Sequence, residues 1–279
     1  MDAGKRGGLT AAKRIVLVDN DPIVSEAIGE LLRSKGYEVS TAHDGLEGLQ
    51  TIRKLAPTYV LLDIILPKID GSRVCWLVRQ DPRLRNTLII AFSGLSPEQI
   101  RRFPELSADA YVAKGPLAIV ANNILLAISY LNEKGGGSFE GGIFGYEGFR
   151  SRQLLGEMLS ARRVYETLIR TFECGVLELD EEGRILMANI PACKILGKRE
   201  SRLIAGKLHS FIPHPHRRLV EEALEGLRED NLRETRRVAV MLSGSSFCMR
   251  LSPVMEEAQF KGMLVTLEPT QPEAITPQQ

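Results

Sequence analysis

Between residues 14 and 134, short runs of aliphatic and β-branched residues alternate with amphipathic stretches. The first run, Arg14–Val18, precedes a segment from Pro22 in which apolar residues recur at three- and four-residue steps, which predicts a strand followed by a helix with one buried face. Further strands are predicted at residues 37–42, 59–63, 88–93 and 110–113. This alternation predicts a doubly wound α/β fold, with five parallel strands and helices on both faces.

Glycines crowd residues 135–149, which predicts a flexible linker. The aromatic side chains in the same stretch leave open a second interpretation, in which the segment docks on a surface. From residue 150 onward, apolar residues follow a heptad spacing and predict a connecting amphipathic helix over residues 150–172. The heptad residues are Leu154, Met158, Ala161, Tyr165, Leu168 and Phe172. Packing on its own domain and a dimeric coiled coil are equally compatible with this stripe.

The remainder of the chain alternates differently. A hairpin is predicted near residues 175–188, helical stretches follow, and three strands are predicted near residues 234–242, 246–251 and 262–267. This order favours an α+β domain with an antiparallel sheet over residues 173–268. The tail, residues 269–279, is rich in proline and glutamine and is predicted to be disordered.

Composition supports two globular domains, because the 279 residues are 44% hydrophobic and 25% charged. The balance of 36 Lys and Arg against 35 Asp and Glu gives no basic field, so we expect no nucleic-acid partner. The four cysteines form no C-x-x-C pair, as expected for free thiols in a reducing compartment. No apolar run reaches membrane-spanning length, so we expect a cytoplasmic protein without a membrane partner.

Polar residues stand where the predicted parallel strands end. Asp19 follows the first strand, Asp63 ends the third, Ser93 ends the fourth, and Lys114 follows the fifth. The carboxyl ends of parallel strands meet at one edge of a sheet, so these four side chains should converge. A carboxylate nucleophile, a metal-binding acid, a hydroxyl and an ammonium suit a phosphoryl-transfer site.

The motifs around these residues are specific and occur in a fixed order: Asp19-Asn-Asp-Pro22, Asp63-Ile-Ile-Leu-Pro67, Ser93-Gly94 and Tyr111-Val-Ala-Lys114. Residues 13–134 therefore resemble the receiver domain of two-component response regulators, which has a flavodoxin-like fold. The resemblance implies that Asp63 accepts a phosphoryl group from a sensor histidine kinase or a phosphotransfer protein.

The resemblance also assigns roles to the surrounding side chains. Ser93 and Lys114 would contact the phosphoryl group, Ser93 and Tyr111 would act as the switch, and Asp19, Asn20 and Asp63 would hold Mg²⁺. The family usually has a second acid where Asn20 stands, so we expect weaker Mg²⁺ binding here. Asp21 is better interpreted as the N-cap of the helix that begins at Pro22.

The second domain resembles a PAS domain in four segments, residues 175–189, 195–197, 203–207 and 211–217. That fold senses small ligands and dimerises, so we expect a homodimer with a PAS ligand of unknown identity. Neither haem nor a flavin adduct is expected, because Val220 stands where the haem ligand falls and His209 where the adduct-forming cysteine falls. Cys193 is predicted to pack on a helix as a small apolar residue. The histidines near His209 are interpreted as a surface turn.

Taken together, these features predict a response regulator that signals through its PAS domain by protein contacts and has no separate catalytic output domain. Two alternatives remain at this point. The receiver could be a docking platform that works without phosphorylation, or the PAS domain could be a small-ligand or redox sensor.

Overall fold

The structure is a computed structural model that describes residues 13–100, 106–134, 142–146, 153–229, 234–257 and 259–270. The chain divides into two compact units, Met1–Glu157 and Met158–Gln279. Within the described residues, no helix is both long enough and apolar enough to cross a bilayer.

The described part of the first unit contains a six-stranded parallel sheet with the order β2-β1-β3-β4-β5-β6. Its strands are β1 Arg14–Val18, β2 Glu38–Ala42, β3 Tyr59–Asp63, β4 Leu88–Ser93, β5 Ala110–Ala113 and β6 Ile143–Phe144. The predicted α/β class is confirmed, but the predicted number of five strands was wrong. The additional strand β6 comes from the segment interpreted as a linker, and the linker residues 135–141 and 147–149 lie outside the described residues.

Five α-helices flank this sheet in the described residues: α1 Pro22–Ser34, α2 Gly45–Leu55, α3 Gly71–Arg79, α4 Pro97–Ile100 and α5 Leu117–Lys134. The central strand β3 is buried at every position, as expected for a parallel sheet covered on both faces. Helix α1 begins where the sequence indicated, because the Asp21 carboxylate accepts hydrogen bonds from the N–H groups of Ile23 and Val24.

The second unit contains a five-stranded antiparallel sheet with the order β8-β7-β11-β10-β9. Its strands are β7 Gly175–Leu179, β8 Ile185–Ala188, β9 Arg236–Leu242, β10 Ser245–Glu256 and β11 Gln259–Pro269. The helices of this part of the chain are α6 Gln153–Thr171, α7 Ile190–Ile195, α8 Glu200–Leu203 and α9 His214–Glu229. The predicted α+β arrangement is confirmed. Residues 271–279 of the predicted disordered tail lie outside the described residues.

A single buried amide joins the end of α6 to the second sheet. The Nδ2 of Asn189 donates to the carbonyl oxygens of Ile169 (3.3 Å) and Cys174 (2.9 Å). Its Oδ1 accepts from the N–H groups of Val176 and Ala192, both at 2.9 Å. Asn189 is 1% exposed, so these bonds are made away from water and fix the helix end to the sheet.

Four residues of the predicted apolar stripe of α6 are about half exposed. Met158, Tyr165, Leu168 and Phe172 are 53, 45, 57 and 55% exposed. Among the α6 residues whose burial is described, Ile169 is buried, and it is off the predicted heptad. These four residues are therefore only partly covered within their own unit.

Candidate functional site

The strand-end residues that the sequence singled out meet at the carboxyl edge of the first sheet. The Nζ of Lys114 lies 2.6 Å from Oδ2 of Asp63 and 2.8 Å from Oδ2 of Asp19. Both carboxylates are buried, with Asp19 0% and Asp63 4% exposed. One ammonium thus bridges two buried acids that come from different strands.

Each carboxylate is held by backbone groups of the loop that follows it. Oδ1 of Asp19 accepts the N–H of Asp21 at 2.9 Å, and Oδ1 of Asp63 accepts the N–H of Ile65 at 3.2 Å. The Lys114 ammonium also lies 4.8 Å from the centre of the Phe92 ring, a cation–π distance. Phe92 was missed in the sequence, where an aromatic residue within an apolar strand gives no signal of a role in the site.

Burial sets the electrostatics of this cluster. It raises the pKa of Asp63 to about 6, an effect opposed by the Lys114 ammonium and reinforced by Asp19. Burial alone would lower the pKa of Lys114, but the two carboxylates outweigh it and raise that pKa. Asp63 is therefore mostly ionised at neutral pH, and Lys114 stays charged.

Ser93 and Tyr111 both lie in buried positions near this edge. Ser93 ends β4, is 0% exposed, and its Oγ accepts the N–H of Leu95 at 3.0 Å. Tyr111 is 3% exposed, and its hydroxyl donates to the carbonyl oxygen of Leu106 at 2.7 Å. The aromatic side chain is therefore turned into the domain.

The donor set of the site fits Mg²⁺. Asp19 and Asp63 present buried carboxylate oxygens to a common point, and Asn20 is exposed directly beside them. Mg²⁺ prefers oxygen ligands and keeps several waters, so one or two carboxylates suffice.

In the second unit, His209 lies near helix α9, which also carries Val220. The Nδ1 of His209 lies 3.9 Å from an oxygen of Glu221, and Val220 is 0% exposed within α9. Cys193 lies on α7 and is half-buried.

Comparison with known proteins identifies both units. Residues 15–120 match the family model of the response regulator receiver domain, and residues 163–270 match that of the PAS fold. The chain therefore has a receiver domain of the response-regulator type followed by a PAS domain.

Two curated relatives and one solved structure each match less than half of this chain. The DNA-binding dual master transcriptional regulator RpaA of Synechocystis is 34% identical over 36% of this chain and 42% of its own length. The DNA-binding response regulator MtrA of Mycolicibacterium smegmatis is 39% identical over 38% of this chain and 45% of its own. The structure of response regulator DrrB of Thermotoga maritima is 26% identical, with a TM-score of 0.39, over 44% of this chain and 54% of that one. The chain thus spans less than half of the two curated relatives.

Proposed function

We propose that this protein accepts a phosphoryl group on Asp63 from a phosphohistidine of a sensor histidine kinase or a phosphotransfer protein. The observation that carries the proposal is the position of Lys114, whose Nζ contacts the buried carboxylates of Asp63 and Asp19 at 2.6 and 2.8 Å. A carboxylate oxygen beside a fixed positive charge suits the transfer of an anionic group, which supports the proposal.

In the proposed reaction, a carboxylate oxygen of Asp63 attacks phosphorus, and the bond from phosphorus to the donor imidazole nitrogen breaks. The imidazole keeps the electron pair and takes a proton from solvent. Lys114 then holds the charge of the acquired phosphoryl group, and the short hydroxyl side chain of Ser93 supplies a donor from β4. Because the pKa of Asp63 is about 6, the nucleophile is mostly ionised at neutral pH.

Mg²⁺ would be held by Asp19, Asp63 and the carbonyl oxygen of Asn20, with water completing its coordination. It would neutralise the charge that otherwise opposes the approach of a phosphoryl group to two carboxylates. With Asn20 in place of a second acid, the chain supplies one negative charge fewer, so binding should be weaker than in receivers with both acids.

The signal would leave through protein contacts of the PAS half, and we propose that the PAS half and α6 form a homodimer. The exposed apolar stripe on α6 supports this, because Met158, Tyr165, Leu168 and Phe172 would otherwise contact water. The cysteines are widely spaced and form no C-x-x-C pair, which supports a cytoplasmic location, where thiols remain reduced.

The proposal is tested by incubating the full chain with Mg²⁺ and a small phosphodonor and measuring intact mass. The parent protein should gain the mass of one phosphoryl group, and Asp63→Asn should not. Asp44→Asn is a matched control, since Asp44 is the N-cap of α2 outside the cluster, and it should label like the parent. Equal labelling of parent and Asp63→Asn would overturn the assignment, and no labelling of either would favour a docking platform that works without phosphorylation.

A further inference from the structure

The free edge of β5 is covered by a short segment from beyond α5. We define residues 142–146 as the strap. It pairs with β5 in parallel register, with Ile143 beside Tyr111 and Phe144 beside Val112. The N–H of Tyr111 donates to the carbonyl oxygen of Gly142 at 2.6 Å. The backbone of the switch residue Tyr111 is therefore bonded directly to the strap.

The strap lies so close to its neighbours in the domain that two of its positions require glycine. A Cβ on Gly145 would lie 2.2 Å from Nδ2 of Asn123, and Gly145 has a φ of +78°, which L side chains rarely adopt. A Cβ on Gly142 would lie 2.9 Å from the carbonyl oxygen of Asp109. The glycines that predicted a linker are thus required for close docking at these two positions.

Aromatic contacts hold the strap at both of its sides. The Phe144 ring packs edge-on against Tyr130 of α5, with ring centres 5.9 Å apart, and joins the apolar core. The hydroxyl of Tyr146 is buried, and its pKa is raised by burial and, to a smaller extent, by the nearby Tyr111. Since Tyr111 is itself 3% exposed, the strap helps to enclose that side chain.

The same strand carries the strap and the charged site. Lys114 directly follows β5, its N–H donates to the carbonyl oxygen of Ser93 at 2.8 Å, and its Nζ contacts Asp63. Only two residues separate Tyr111, which the strap holds, from Lys114. A change in the position of Lys114 on phosphorylation would therefore act on the part of β5 to which the strap is bonded.

We propose that the strap is a regulatory element that holds Tyr111 in its buried position, and that docking of the strap and occupancy of the Asp63 site stabilise each other. This inference rests on the proposed function. Strands β4 and β5 lie between the strap and the strand that ends with Asp63, so the coupling passes through β5. Coupling between two sites is reciprocal. If occupancy of the Asp63 site strengthens docking of the strap by a given factor, loss of docking must weaken binding at Asp63 by that same factor.

The test uses the full chain and beryllofluoride with Mg²⁺ as a phosphoryl analogue, with affinity measured by calorimetry. Gly145→Ala imposes strain on the strap, and Phe144→Ala removes its ring contact with Tyr130. Both variants should bind the analogue about fivefold or more weakly than the parent, a factor typical of allosteric coupling. Gly29→Ala is the matched control, because its Cβ would meet only the end of the Arg33 side chain, and it should bind like the parent.

Hydrogen exchange of the Tyr111 amide, measured by NMR, reports on the strap directly. This amide should exchange faster in both strap variants, and slower in the parent once beryllofluoride is bound. Equal affinities together with faster Tyr111 exchange in the variants would overturn the coupling alone. Unchanged Tyr111 exchange in both variants, or tighter binding by them, would also overturn it. Failure of the analogue to bind the parent would overturn the proposed function itself, and the coupling with it.

Discussion

Gly71 approaches the backbone of Asp63 so closely that a Cβ built on it would lie 2.0 Å from the Asp63 carbonyl oxygen. Its N–H donates to the carbonyl oxygen of Ile64 at 2.9 Å. Helix α3 therefore begins directly against the strand end that presents Asp63. Any side chain at residue 71 would have to move this backbone.

We expect Gly71→Ala to lower the free energy of unfolding by about 1–3 kcal/mol, the usual effect of overpacking a close contact, and to slow phosphorylation of Asp63. Chemical denaturation and intact mass measure the two effects. Gly29→Ala adds the same methyl group within α1, where it should be neutral or stabilising, as for other glycines inside helices. If both variants have the same free energy of unfolding as the parent, the close contact at Gly71 does not contribute to stability.

The raised pKa of Asp63 predicts a pH dependence in magnesium-free buffer. In the folded protein, burial raises the pKa of Asp63 from the ordinary value of 3.8 to about 6, so the carboxyl keeps its proton to a higher pH than in the unfolded chain. The stabilisation from this group is complete below pH 3.8 and is lost as the pH rises through 6. Since Asp63→Asn does not titrate, its free energy of unfolding should rise relative to the parent by at most about 3 kcal/mol over this range.

Asp81→Asn is the control for this titration. In the parent protein, hydrogen bonds with Arg83 lower the pKa of Asp81, so the Asp81 carboxyl titrates below the pH range in which Asp63 titrates. The difference in free energy of unfolding between Asp81→Asn and the parent should therefore stay constant from about pH 5 to 7. A constant difference for Asp63→Asn as well would show that burial does not raise the pKa of Asp63.

Asn20→Asp should strengthen Mg²⁺ binding, because it restores a negative charge beside Asp19. A unit charge about 4 Å from a divalent ion contributes about 2 kcal/mol in water, so we expect roughly thirtyfold tighter binding by calorimetry. Asp21→Asn keeps the helix cap but removes a charge one residue further on, and it should change the affinity less. A larger effect at Asp21 than at Asn20 would transfer the metal role to Asp21.

The position of the site could be predicted from the sequence because strand ends in a parallel sheet obey a geometric rule. Asp63 and Ser93 end strands, Asp19 and Lys114 follow strands, and the edge on which they meet is fixed once the sheet is parallel. The distances could not be predicted in this way. That Lys114 bridges both acids depends on side-chain packing, including the ring of Phe92, which no spacing in the sequence encodes.

Two boundary errors have physical causes. Strand β6 has two residues, and its pairing depends on how Gly145 fits against Asn123, a contact that only the folded domain creates. The aromatic residues among the glycines were the available signal. Strand β10 was predicted to end at residue 251, but it continues to Glu256 through Pro253, a residue that usually ends or interrupts strands.

The exposed stripe on α6 leads to the last prediction. Leu168 is 57% exposed, although it belongs to the stripe of the proposed dimer. If a second copy covers it, Leu168→Glu places a charge in an apolar interface, at a cost of several kcal/mol that a modest interface cannot absorb. Light scattering should then show a dimer for the parent and a monomer for Leu168→Glu.

Thr167→Glu provides the comparison that makes this result specific. Thr167 is exposed on the same helix, adjacent to Leu168 but off the heptad stripe, so this variant adds an equal charge without placing it in the proposed interface. It should remain dimeric, and circular dichroism should show that both variants are folded. Equal masses for the parent and Leu168→Glu would exclude α6 as the interface. Dissociation of both variants would show that charge on α6 in general, rather than burial of Leu168, controls assembly.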